Sequence, residues 1–99
     1  MEQDTKLVEA IETLVGLARR HKVSSGIVAR DVVLFGTEPK HYPFDPSHLM
    51  LLSGVNKYAA LKIINSVIIT GHSIEPILGR DTLEELHAEW YADKKRRAA

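Results

Sequence analysis

Apolar residues recur at helical spacing through the first third of the chain. One set predicts a helix over 4–22, with Asp4 as its N-terminal cap, and a second set predicts a helix over 25–35. Residues 32–35 also have the β-branched and aromatic composition of a short buried strand. A lone strand needs partners, and the sequence contains no second convincing strand or hairpin. We therefore predict a helix in this segment too.

A loop separates these two helices from the rest of the chain. Gly36 is expected to end the second helix, and the prolines between residues 36 and 46 exclude regular helix or a central strand. Tyr42 and Phe44 are large enough to anchor the loop on the core. Asp45 before Pro46 is the pattern of an N-cap followed by proline at the first helical position, and it predicts a short helix over 46–53.

The most apolar stretch of the chain is residues 56–70, and it predicts a central helix. Its apolar side chains cover an arc of roughly 200° on a helical projection, wider than the stripe of an ordinary surface helix. They are Ala59, Ala60, Leu61, Ile63, Ile64, Val67 and Ile68. Gly71 is a natural C-terminal cap. After an apolar connection over 74–78, Leu83, Leu86 and Trp90 predict a last helix over 81–95.

These patterns together predict an all-α protein. Residues 1–99 are expected to form a single helical domain of about five helices around the central apolar helix, with a basic tail over 93–99 that frays.

A mixed stripe on the central helix is the first candidate site. It brings an aromatic ring and an apolar side chain among polar groups, which is a composition typical of protein-binding hot spots. The stripe consists of Tyr58, Lys62, Asn65 and Ile69. It predicts a protein that binds another protein, with self-association as one form of that binding, and it predicts that Ile69 lies on the surface.

The segment from Leu49 to Ile63 supports a second hypothesis. A short helix, a turn at Gly54, a polar cap and a second helix resemble a helix-turn-helix, whose second helix reads DNA with its N-terminal residues. The arc of about 200° expected to be buried argues against this motif, because a recognition helix needs a broad exposed face. The candidate DNA contacts are Asn56, Lys57, Tyr58 and Lys62, supplemented by the basic residues Lys94, Lys95, Arg96 and Arg97.

Composition narrows the function classes further. Thirteen basic and thirteen acidic residues cancel, so no global field attracts nucleic acid or an anionic membrane. The chain has no cysteine, and the sequence shows no phosphate-binding glycine loop or nucleophile with a paired base. The first residues are polar and no apolar run approaches ~18 residues. We therefore expect a cytoplasmic protein that is not an enzyme, has no cofactor and does not enter a membrane.

A metal or acid–base site in the loop is not favoured either. His41, Asp45 and His48 lie near one another in the sequence, but they do not have the spacing of zinc ligands. Asp45 already has a structural role as a helix cap. His87 falls on the packing face of the last helix, beside Tyr91, and is expected to serve packing there. We therefore predict no catalytic and no metal-binding residues.

The order of several short motifs resembles a known group of proteins. The chain resembles a family of short uncharacterised helical proteins on proteobacterial plasmids and other mobile elements. The resemblance lies in the order of Leu17-Ala18-Arg19-Arg20, the helix around Ala29, Phe44-Asp45 before Leu49, and residues 83–90. The resemblance implies a bacterial or phage context. It also implies a small regulatory or antagonistic role rather than a metabolic one.

Overall fold

The computed structural model describes residues 4–20 and 24–98, and all of the regular structure in these ranges is helical. This confirms the predicted all-α fold. The first residues of the chain and the predicted end of the first helix at Lys22 lie outside the described ranges. The elements are α1 (Thr5–Arg20), α2 (Ser24–Thr37), a 3₁₀ helix (Pro46–Leu51), α3 (Val55–Thr70), α4 (Glu75–Leu78) and α5 (Arg80–Ala98).

The core lies between the first three α-helices. α1 packs against both α2 and α3, and α2 also contacts α3 and α5. α2 is the most deeply buried of them, with Val32, Val33 and Leu34 at 0% exposure. The segment with strand-like composition is therefore a helix that is covered on almost every side. A helix in that position is apolar all round, and this explains why its sequence lacks the alternation of an exposed element.

Gly36 does not end α2, contrary to the prediction, because the helix continues to Thr37. A Cβ atom at Gly36 would lie 2.8 Å from Cδ1 of Ile74 and 2.9 Å from Cγ2 of Ile63. The backbone N–H of Ile74 donates a hydrogen bond to the carbonyl oxygen of Gly36 at 3.0 Å. The glycine thus allows the segment before α4 to approach the helix closely, rather than breaking the helix.

α3 buries a narrower arc than the roughly 200° predicted from its sequence. Its buried residues are Ala59, Ala60, Ile63 and Val67, whereas Leu61 and Ile68 are 38% and 66% exposed. α1 and α2 cover only one side of α3, because α5 packs on α2 and α4 instead. The helix ends at Gly71 as predicted, with φ of 72° and its N–H bonded to the carbonyl of Val67.

The connections follow the predicted anchors with two differences. Tyr42 is buried and Phe44 packs against the core, and Asp45 caps the 3₁₀ helix by accepting a hydrogen bond from the N–H of Ser47. The expected apolar connection after α3 contains the short helix α4. The tail expected to fray from residue 93 is helical through Ala98, while the last residue lies outside the described range.

Candidate protein-interaction face

The exposed hydrophobic residues are concentrated on one part of the fold. Eight large hydrophobic side chains are exposed among the described residues, and seven of them lie on the 3₁₀ helix or on α3. Tyr91 on α5 is the exception. The seven, which we call the apolar face, are Met50, Leu51, Val55, Tyr58, Leu61, Ile68 and Ile69.

Helical spacing explains how α3 presents this face. On α3, Tyr58, Leu61 and Ile68 follow one another at intervals of three and seven residues, so they lie on one side of the helix. Ala60, Ile63 and Val67 occupy the opposite side and are buried against the other helices. α3 is therefore apolar on two faces, of which only one is covered. Tyr58 and Ile69 are the most exposed of the large hydrophobic residues on α3, at 77% and 79%.

An ion pair marks one edge of the apolar face. Nζ of Lys62 lies 2.8 Å from Oδ2 of Asp4, and this contact joins α3 to the start of α1. The other carboxylate oxygen of Asp4 accepts hydrogen bonds from the N–H groups of Lys6 and Leu7, which confirms the predicted cap. The hydrogen bond with Lys62, together with these backbone N–H groups, lowers the pKa of Asp4. Lys62 is thus held toward α1 rather than toward the middle of the face.

The predicted stripe and the observed face overlap in part. Tyr58, Asn65 and Ile69 are exposed together on α3, whereas Lys62 is half-buried in its pair with Asp4. Sequence reasoning missed five members of the face because they were assigned to the buried arc, to the short helix or to the turn. The five are Met50, Leu51, Val55, Leu61 and Ile68. Leu61 and Ile68 share a side of α3 with Tyr58 and Asn65, but this spacing alone does not show whether a neighbouring helix covers them.

The segment interpreted as a helix-turn-helix differs from that motif in its first element. Residues 46–51 form a 3₁₀ helix, and Leu52 is already extended, with φ of −99° and ψ of 152°. Gly54 makes the turn with a positive φ of 54° and precedes Val55 at the start of α3. Asn56 therefore lies inside the first turn and is not the cap. Lys57 and Tyr58 are exposed and Asn56 is half-buried.

The basic residues of α5 interact with their own helix. Nζ of Lys94 lies 4.8 Å from the centre of the Trp90 ring, and Nζ of Lys95 lies 5.7 Å from that of Tyr91. Such cation–π contacts stabilise exposed cations modestly. Arg96 pairs with Asp93, and Arg97 is exposed. These residues occupy the last turns of α5, where positive charge complements the helix dipole.

Three histidines, His41, His48 and His87, lie beside aromatic rings. The ring of His41 lies 5.7 Å from Trp90 between centroids, and His48 lies 6.3 Å from Phe44. His87 stacks on Tyr91, as expected, and its Nδ1 lies within hydrogen-bond distance of the Tyr42 hydroxyl, at 2.8 Å. Within the described residues, no three His, Asp or Glu side chains come close enough together to hold a metal ion.

Comparisons with other proteins give no relative for this chain. No protein-family model, curated protein or solved structure matches it. Among the helices of residues 4–20 and 24–98, none has the length and apolar character needed to cross a membrane.

Proposed function

We propose that this protein is a small non-enzymatic binding protein that engages another protein through the apolar face. The observation that carries the proposal is the concentration of exposed hydrophobic side chains on the 3₁₀ helix and α3. Single exposed hydrophobic residues are ordinary on protein surfaces, but a contiguous group marks an interaction site. A protein of this kind acts by occupying its partner, which is how small regulators and antagonists work.

The size of the apolar face supports the proposal. At the observed exposures, the seven large side chains together present on the order of 800 Å² of surface. Stable interfaces cover about 800 Å² on each partner. Tyr58 is suited to the centre of such an interface because a tyrosine adds a large ring and few rotatable bonds.

Binding to DNA is the alternative function. Its support is the exposure of Lys57 and Tyr58 at the start of α3 and of the basic residues at the end of α5. DNA binding has less support than a protein partner for two reasons. Residues 46–51 form a 3₁₀ helix, which is not the first helix of a helix-turn-helix, and the net charge of the chain is balanced. The two functions differ in their response to salt and to nuclease.

The test is a pull-down that compares two matched tyrosine variants. Tagged wild type, Tyr58→Ala and Tyr91→Ala are used as baits in bacterial lysate to which an untagged copy of the chain has been added, with and without nuclease. Tyr58 lies on the apolar face and Tyr91 lies outside it, although both are exposed. Bound protein is identified by mass spectrometry, and nucleic acid is detected by staining.

If the proposal is right, the bait retains a protein in stoichiometric amount after nuclease treatment. That protein is either a different chain from the lysate or the untagged copy. Wild type and Tyr91→Ala retain it and Tyr58→Ala does not. Equal retention by all three baits overturns the proposed face. Recovery of DNA that declines steeply with salt and is abolished by Lys57→Glu replaces the proposal with the DNA-binding alternative.

A further inference from the structure

We infer that the occupant of the apolar face is a second copy of this chain, paired through antiparallel α3 helices. This inference rests on the proposed function and adds the identity and orientation of the partner. Three observations on α3 carry it: the spacing of its exposed residues, a polar residue in the middle of the stripe, and the distribution of its charges.

The spacing of the exposed residues is that of a helix-pairing seam. Tyr58, Leu61, Asn65 and Ile68 follow one another at intervals of three, four and three residues. This is the a/d pattern of two helices that pack along each other at a small angle. A surface helix that packs only on its own core needs a single apolar stripe, whereas α3 carries a second one on its exposed side.

Asn65 suits a pairing of identical helices. It lies at an a position, with Leu61 and Ile68 as its neighbours in the seam, and its side chain is exposed. A single asparagine at an a position stabilises one register and one oligomeric state at some cost in affinity, because a polar group in the seam needs a polar partner. In an antiparallel pair centred near Ile63, Asn65 of each copy lies opposite Leu61 of the other, so the second copy brings an identical amide into the adjacent layer of the seam.

The charges of α3 favour the antiparallel orientation. Both lysines of α3, Lys57 and Lys62, flank the seam in its first half, and the residues of α3 after Ile63 include no charged side chain. A parallel pair brings Lys57 of each copy toward Lys62 of the other. An antiparallel pair instead places Lys57 beside the C-terminal end of the other copy's α3, where the helix dipole favours positive charge. Lys57 lies in the first turn of its own helix, where that dipole disfavours it.

The area available is enough for a dimer of moderate stability. The apolar face presents on the order of 800 Å² on each copy, and because the pair is two-fold, the part of the face along the α3 seam is covered on both copies. α3 has 16 residues and is about 24 Å long, of which the seam from Tyr58 to Ile68 takes about 15 Å. This is a short seam, and the dimer is therefore expected to dissociate on dilution.

The oligomeric state is measured first, by analytical ultracentrifugation of the full chain from low-micromolar to millimolar concentration. The inference expects a reversible monomer–dimer equilibrium. Tyr58→Ala weakens dimerisation by at least about tenfold, as expected for the loss of a large aromatic side chain from the seam. Tyr91→Ala leaves it unchanged. Asn65→Leu strengthens association, because it removes the polar residue from the seam, and this gain is a result that misfolding does not produce.

Orientation is tested with introduced cysteines, since the chain has none of its own. Ser53 and His72 are exposed residues that flank the two ends of α3. In an antiparallel pair, a short bis-maleimide links Ser53→Cys to His72→Cys in a mixture, and neither variant links to itself. Self-linking of each variant overturns the antiparallel arrangement.

A chain that remains monomeric over the whole concentration range overturns self-association altogether. That result leaves the proposed function intact if the pull-down still retains a different protein on wild type and on Tyr91→Ala. If Tyr58→Ala binds as wild type does in both experiments, the apolar face itself is not the binding site. The two experiments therefore separate failure of the inference from failure of the proposed function.

Discussion

Arg30 on α2 and Asp93 on α5 form an ion pair between side chains that are 5% and 16% exposed, with Nη1 and Oδ2 2.6 Å apart. The same guanidinium also contacts Asp31 at 2.9 Å. Few hydrophobic residues of α5 reach the core, and Leu86 is the fully buried one among them. The ion pair therefore fixes the second half of α5, including the start of its basic segment, on α2.

Loss of the Arg30 side chain is expected to destabilise the protein strongly. Arg30→Ala removes the cation that both Asp31 and Asp93 share in a largely buried place and leaves Asp93 with only the exposed Arg96. Breaking a buried pair of this kind costs about 3–5 kcal/mol. Arg19→Ala is the matched control, because Arg19 pairs with Glu85 where both side chains are at least 40% exposed. That loss costs at most about 1 kcal/mol. Urea unfolding measures both, and equal effects would contradict the buried role of Arg30.

The same pair predicts how stability depends on pH. The hydrogen bond from Arg30 lowers the pKa of Asp93 in the folded state, so the folded protein binds fewer protons there than the unfolded chain does. The stability from this group is present above the ordinary aspartate pKa of about 3.9 and is lost as the pH falls through the lowered value. The advantage of wild type over Asp93→Asn should therefore shrink in acid, as measured by urea unfolding at several pH values.

Asp31 provides the control for that experiment because its pKa moves in the opposite direction. Burial raises the pKa of Asp31, although Arg30 opposes the change. The contribution of such a group is largest at low pH and declines as the pH rises through the raised value. The difference between wild type and Asp31→Asn should therefore change with pH in the opposite sense. A parallel pH dependence for the two variants would contradict the opposite pKa shifts of the two carboxyl groups.

Two helical glycines are expected to respond oppositely to alanine. At Gly36 the new methyl group meets Ile74 and Ile63 at less than 3.0 Å, and overpacking of this kind costs about 1–3 kcal/mol. At Gly16 on α1 a Cβ atom meets only the mobile end of Arg20, at 3.2 Å. Gly16→Ala should therefore stabilise α1 by about 0.5–1 kcal/mol. Thermal unfolding of both variants is the measurement, and stabilisation by Gly36→Ala would refute the close contact with Ile74.

The positions of the helices could be predicted from local sequence patterns, whereas the extent to which each helix is buried could not. The cap at Asp4, the loop anchored by Tyr42 and the C-terminal cap at Gly71 all depend on nearby residues and were confirmed. Gly36 was misassigned because its role depends on Ile74, which is 38 positions further along the chain. Local sequence does not distinguish a glycine that ends a helix from one that permits a close contact.

Prediction of the candidate site was limited in the same way, because local sequence does not show which surfaces are covered by distant elements. The sequence placed Tyr58 and Ile69 on the surface of α3, and the structure confirms that exposure. It did not show that Ile68 is exposed as well, because an apolar arc on a helix has the same appearance whether a neighbouring helix covers it or not. Only the packing of α5 on α2 and α4 determines that this side of α3 remains open. The width of an apolar arc is therefore an upper bound on what a helix buries within its own chain.

The last prediction separates the apolar face from the core on the same helix. Ile69 is 79% exposed and Ile63 is 0% exposed. Ile69→Asp should change the free energy of unfolding by at most about 1 kcal/mol, most of it from a negative charge near a helix C-terminus. Ile63→Ala should cost about 2–5 kcal/mol, because it removes buried methyl groups and leaves a cavity. Both are measured by thermal unfolding at low protein concentration, so that association does not contribute. A large loss of stability in Ile69→Asp would mean that Ile69 packs within its own chain, and it would remove this residue from the interaction face.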